Sequence, residues 1–121
     1  MEKYIIKLRR GENMKLWIDD IRPAPEGYVW CKSVNETKSY IIRALIGWLR
    51  LNKEIQYPIE ILDIDHDSGE FYQDGGDYIE ILKWFEKTQT PCPPIHIHSM
   101  NPVGVANMRR IIERNGWKEV K

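Results

Sequence analysis

Ile59-Glu60-Ile61-Leu62-Asp63-Ile64, running directly into Asp65-His66-Asp67-Ser68-Gly69, is the stretch on which the fold turns. Pro58 opens it, aliphatic and β-branched side chains fill it, and it breaks into polar turn formers, the pattern of a buried strand feeding a loop. The same pattern occurs upstream, where Met14-Lys15-Leu16-Trp17-Ile18 ends at Asp19-Asp20 with Pro23 and Pro25 beyond, and downstream, where Ile95-His96-Ile97-His98-Ser99 alternates as a strand behind Pro91, Pro93 and Pro94. Tyr28-Val29-Trp30-Cys31 is a further short strand and Trp117 to Val120 a last one.

Helical spacing fills the intervals. Ser33 and Glu36 make a capping box before an apolar stripe of Ile41, Ile42, Leu45, Trp48 and Leu49, a helix expected to end near Asn52. Asp77, behind Gly75-Gly76, is placed to cap a second helix carrying Tyr78, Ile79, Ile81, Leu82 and Phe85. Asn101-Pro102 opens a third, with Val105, Met108, Ile111 and Ile112 inward and Asn115-Gly116 at its end. Strands alternating with helices predict an α/β fold, a small three-layer α/β/α sandwich with a mainly parallel sheet of about five strands. Residues 21–27 are too short for a helical crossover, so the first two strands are either joined irregularly or are not simple parallel neighbours.

The 121 residues, 42% hydrophobic and 30% charged, suffice for one core. The domain is expected over 14–121. Residues 1–13 are either an edge strand around Tyr4-Ile5-Ile6 or an arm bearing Lys3, Lys7, Arg9 and Arg10, which leaves a homodimer by strand exchange open. No apolar run approaches the roughly 20 residues of a membrane helix, and the N-terminus has no signal-peptide layout, so a soluble, cytoplasmic protein is expected. Cys31 and Cys92 stand apart and read as small core residues. Basic and acidic residues balance at 18 each, which gives no reason to invoke a long nucleic-acid duplex as partner. No basic residue falls between Lys53 and Lys83, whereas Glu54, Glu60, Asp63, Asp65, Asp67, Glu70, Asp74, Asp77 and Glu80 do; such a block is a solvated face or is partly neutralised by a cation.

In a parallel sheet, ligands bind outside the carboxyl ends of the strands. Three strands end there in Asp19, Asp20 and Arg22; in Asp65, His66 and Asp67; and in His98, Ser99 and Asn101. Holding gathered carboxylates together is costly unless protons are shared or a hard cation such as magnesium or manganese takes their oxygens, and a metal is the economical explanation. Such a cation, with Arg22 and the amides after Asn101, suits a phosphate. Plainer roles stand beside these: Asp20 as an Asx-turn residue, Asp67 as a turn opener, Asn101 as a helix cap, His96 and His98 as hydrogen-bonded structural residues, and Asp63 as a buried structural acid. Tyr72, Gly75 and Gly76 belong to either a mobile lid or a plain surface loop. The five tryptophans read mainly as core, with Trp30 the best base-stacking exception.

Leu16-Trp17-Ile18-Asp19-Asp20-Ile21-Arg22-Pro23, Ile64-Asp65-His66-Asp67 and His96-Ile97-His98-Ser99-Met100-Asn101-Pro102 together resemble the cyclic-phosphate-processing receiver domains, in order, over residues 14–120. The resemblance implies a receiver (flavodoxin-like) sheet. It also implies action on cyclic phosphates of nucleotides or RNA ends rather than acceptance of phosphate from a kinase. By similarity, Asp19 and Asp20 match the receiver's acidic pair, Asp65 its strand-three aspartate and Ser99 its strand-four hydroxyl. Metal ligands would then be Asp19, Asp20, Asp65 and Asp67; catalytic residues Asp65, His66 and His98; and ligand-binding residues Arg22, Ser99 and Asn101. The chain departs from ordinary receivers in having no Lys-Pro motif after the fifth strand, since Lys118 lies inside that segment, which disfavours phosphorelay signalling. Three functions follow: a metal-dependent phosphoesterase on a cyclic phosphate of a nucleotide, cyclic dinucleotide or RNA end; a non-catalytic protein sequestering a cyclic nucleotide, as in phage counter-defence or sensing; or a degenerate receiver serving as an interaction module.

Overall fold

The computed structural model describes residues 13–50 and 56–121. Residues 1–12 of the expected 1–13 edge strand or arm, the strand exchange built on it and the end of the first helix beyond Arg50 lie outside the described residues. Four strands, β1 (Met14–Ile18), β2 (Tyr28–Cys31), β3 (Ile59–Ile64) and β4 (Ile95–Ile97), form one parallel sheet in the order β2-β1-β3-β4. Helices α1 (Val34–Arg50), α2 (Ile79–Thr88) and α3 (Pro102–Asn115) alternate with them. The receiver-like α/β reading holds. Among the described residues the strand count is smaller by one, because the expected segment 117–120 makes only a single parallel bridge, Glu119 to Ile95. With β4 only three residues long, Ile95 alone meets it, donating its N–H to Lys118 O and accepting from Val120 N.

The β1–β2 link is irregular and the two strands are parallel neighbours. Asp19 makes this possible: its Oδ1 accepts the amides of Ile21 and Arg22, both at 2.9 Å, and so turns the chain without a helix. The other crossovers all step across the sheet in one direction, so right-handed connections bring α1, α2 and α3 to the same face. One core records this, joining Leu16, Ile18, Leu62, Ile64 and Ile95 to Ile41, Phe85, Met108 and Ile112, each burial worth about 1.5–3 kcal/mol. Of the three expected layers, the described residues supply these two. The opposite face carries the row Trp30, Trp17, Asp63 and His96, which are register partners on adjacent strands.

Three local expectations need correcting. Ile42 and Leu49 are exposed at 43% and 54%; α1 buries Val34, Thr37, Ile41 and Ala44 instead, because one sheet face takes a narrower stripe. Asp77 does not cap α2, which starts at Ile79; its Oδ1 accepts from Ser68 N and Ser68 Oγ. Glu36 reaches back to Lys32 N rather than to Ser33 N, although Ser33 Oγ does accept from Glu36 N. Asn101 caps α3 as expected, accepting from Gly104 N at 3.0 Å ahead of Pro102, and Gly116 closes it in the left-handed conformation at φ 67°. Among the described residues no helix is long and apolar enough to cross a membrane.

Candidate active site

The carboxyl ends of β1, β3 and β4 meet. Asp65 N donates to Ile18 O and His98 N to Ile64 O, which sets the three polar segments side by side. Asp19, Asp20 and Asp65 each place a carboxylate oxygen within 4.8 Å of the others. Asp19 is 1% exposed, and although burial works against its charge, the amides of Arg22 and Ile21 and the His98 ring hold its carboxyl below the usual range. Asp20 is the opposite case. Burial raises its carboxyl, its own amide opposes this, and the charges of Asp19 and Asp65 add to the rise. Gly69, at φ +54°, leaves room for it: a Cβ there would sit 2.3 Å from Asp20 Oδ2.

This three-carboxylate cluster fits a hard divalent cation by its donors, all oxygen, and by the burial and mutual repulsion that together raise Asp20. Asp67 is not brought into it. Its carboxylate lies instead with His66 and Asp77.

Two histidines have different surroundings. His66 Nδ1 lies 2.9 Å from Asp67 Oδ1, Asn101 Nδ2 donates to both Asp67 oxygens at 3.3 Å, and Nε2 has no hydrogen-bond partner among the described residues. Its ring packs on the first turn of α3, where a Cβ on Gly104 would meet His66 Cγ at 2.4 Å. His98 has both ring nitrogens engaged: Nε2 is 2.8 Å from Asp19 Oδ2 and Nδ1 is 2.7 Å from Asp63 Oδ1. Burial opposes its charge, but the hydrogen bonds to Asp63 and Asp19 prevail and raise its pKa. Trp17 stacks on it, ring centroids 4.0 Å apart and planes 3° from parallel. His98 is thus an imidazolium clamp between two buried carboxylates.

Arg22 reaches across the cleft, donating from Nη1 to His98 O at 3.0 Å, with Nε 3.9 Å from Asp19 Oδ2. Ser99 Oγ accepts from Asn101 N at 3.1 Å, which leaves its hydroxyl proton to donate elsewhere. The Asn101 side chain is occupied as cap and as donor to Asp67. Loop 67–76 is tied to the start of α1, where Asp74 accepts from Ser33 Oγ at 2.5 Å and from Asn35 Nδ2 at 3.0 Å. Trp30 donates its indole N–H to Asp19 O and carries the Lys32 ammonium 4.4 Å from its ring centroid.

A family model described as the cyclic-phosphate processing receiver domain matches residues 14–114. The chain belongs to this family. No curated protein and no solved structure matches it. The match runs from the start of β1 to the last turn of α3 and takes in all the strand-end residues just described. Asp63 is the functional candidate that sequence reasoning left out. Register pairs it with His96, and its Oδ1 lies within hydrogen-bond distance of Nδ1 of both His96 and His98. The signal was a buried acid in one strand opposite a His-x-His in another.

Proposed function

We propose that this domain is a metal-dependent phosphoesterase that opens a cyclic phosphate of a nucleotide, a cyclic dinucleotide or an RNA end. The observation that carries the reading is the Asp19, Asp20 and Asp65 carboxylate cluster, with His66 following Asp65 in the chain: its imidazole is held at Nδ1 by Asp67 and its Nε2 has no hydrogen-bond partner among the described residues, which suits a general base. Asp19, Asp20 and Asp65 would hold magnesium or manganese, which when bound supplies Lewis-acid stabilisation of charge on the phosphoryl oxygens. His66 Nε2 takes a proton from the attacking water, the water oxygen bonds to phosphorus, and one ring P–O bond breaks. The leaving oxygen takes up a proton, giving a phosphomonoester and a free hydroxyl. Arg22 and the Ser99 hydroxyl hold phosphate oxygens. His98, with both nitrogens committed, fixes Asp19 rather than exchanging protons.

The test is chromatography of cyclic mononucleotides, cyclic dinucleotides and RNA 2′,3′-cyclic phosphates after incubation with the protein, with manganese or with chelator. A metal-dependent product abolished in Asp65→Asn and reduced at least about 100-fold in His66→Ala supports the reading. Ligand bound but recovered unchanged replaces it with sequestration, and neither binding nor product overturns both.

A further inference from the structure

We propose that Asp63, His96 and His98 form a second cation site, selective for a transition metal such as zinc, separate from the three-carboxylate cluster and independent of whether the domain turns over a cyclic phosphate. His96 is the register partner of Asp63 on the adjacent strand, and His98, two residues further along, falls on the same face. Nδ1 of His96 lies 2.8 Å, and Nδ1 of His98 2.7 Å, from the same oxygen, Asp63 Oδ1. All three donor atoms fall within 4.8 Å of one another. Zinc bound at about 2.0–2.1 Å in a tetrahedron separates its ligand atoms by about 3.3 Å. Side-chain rotations of roughly half an ångström open the present spacing to that value.

The surroundings are those of a ligand set. Asp19 Oδ2 holds Nε2–H of His98, the outer carboxylate that fixes a metal-binding imidazole with its other nitrogen inward, and the Trp17 stack fixes the ring plane. The His98 and Asp63 side chains are 9% and 10% exposed, whereas His96 is 37% exposed, which provides an entrance and a coordination position open to water. Two imidazoles and one carboxylate favour zinc or cobalt over magnesium, which prefers oxygen. Protons balance: on metal entry His98 releases its Nδ1 proton to water and keeps Nε2–H on Asp19. His96 moves its proton from Nδ1 to Nε2. The His66, Asp67 and Asp77 group is the weaker candidate, with one imidazole, an Asp67 side chain 59% exposed and Asp77 Oδ1 already accepting twice from Ser68.

The test is cobalt titration of the untagged, metal-stripped full chain in excess magnesium, read as the visible absorption of cobalt in a nitrogen and oxygen field. One equivalent should bind with that spectrum, zinc should displace it, and it should be lost in His96→Ala and Asp63→Asn but kept in Asp20→Asn. His96 is exposed enough for its removal to leave the fold, which circular dichroism checks. No cobalt spectrum, or one that survives His96→Ala, overturns the site. Metal-dependent turnover without a cobalt spectrum would leave the phosphoesterase reading standing alone, and a cobalt spectrum without turnover would leave this site standing alone.

Discussion

Replacing His98 by phenylalanine keeps a flat ring against Trp17 and removes the charge between Asp19 and Asp63. Side-chain exposures of 1% for Asp19, 10% for Asp63 and 9% for His98 put all three groups out of water, so the loss takes the bridging charge from two buried carboxylates and leaves Asp19 with Arg22 at 3.9 Å and Asp63 with the His96 ring. Removing one partner of a buried charge pair costs about 3–5 kcal/mol. For a domain of this size that is a fall in Tm on the order of 10–20 °C. Thermal unfolding by circular dichroism in chelator, at pH 7 and at pH 4, measures it. The carboxyls of Asp19 and Asp63 are held low and His98 is held high in the native protein. In the variant Asp19 keeps only Arg22 as a cation and Asp63 only the His96 ring, burial weighs more heavily on both carboxyls, and the variant regains stability as pH falls. The wild type meanwhile loses stability as pH falls through its depressed carboxyls, so the gap narrows. A fall of less than about 1 kcal/mol at pH 7, or a gap that does not shrink by pH 4, would refute the clamp.

The same three groups set the wild-type pH profile in the absence of metal. The raised His98 contributes stability fully present below about pH 6.5 and lost as pH rises through its native pKa, while Asp19 and Asp63 contribute above about pH 4 and lose it as pH falls. Urea midpoints should therefore peak between these limits, and a midpoint still rising from pH 7 to 9 would contradict the assignment. Gly104→Ala should cost about 1–3 kcal/mol and displace His66, since its Cβ would lie 2.4 Å from the ring; an unchanged Tm together with an unchanged His66 imidazole NMR signal would count against that packing. Gly69→Ala should cost about 1–2 kcal/mol for its left-handed backbone and, by pushing Asp20 aside, weaken manganese binding measured by calorimetry.

Strands and helices were legible because their signals are local: apolar runs closed by Asp-Asp, by Asp-His-Asp and by His-Ser, and a cap at Asn101 that Pro102 makes unambiguous. The same locality explains the misses. Asp77 has the right spacing for a cap, yet the buried Ser68 competes for its carboxylate across the loop, and no window of sequence shows that competition. Ile42 and Leu49 sit at helical spacing, but how wide a stripe the sheet covers depends on what else packs there.

The site was legible as three polar strand ends and illegible as a network. Asp20 was weighed as the Asx-turn residue, but Asp19 turns the chain, and this leaves the Asp20 carboxyl facing Asp65. Trp17 read as core, but it lies on the face opposite the core and stacks on His98. Both facts depend on register, which fixes who sits beside whom and is written in no single segment.

The strand-end network also bears on why the expected lysine of an ordinary receiver is missing. Acidic residues gathered at a sheet edge need a cation of the protein's own as well as any bound metal. Here Lys118 is exposed and engages Ile95 through its backbone carbonyl, and among the described residues no ion pair ties its ammonium to the cluster. Among the described residues the cations that reach Asp19 are Arg22 from the β1–β2 loop, at 3.9 Å, and His98 from the end of β4, at 2.8 Å. Asp63 anchors the far nitrogen of His98 and Trp17 stacks on its ring. The charge beside Asp19 thus comes, among the described residues, from a guanidinium and an imidazole held in the sheet rather than from a fifth-strand lysine. An imidazole so fixed is in keeping with the proposed site holding a phosphate ester in one pose.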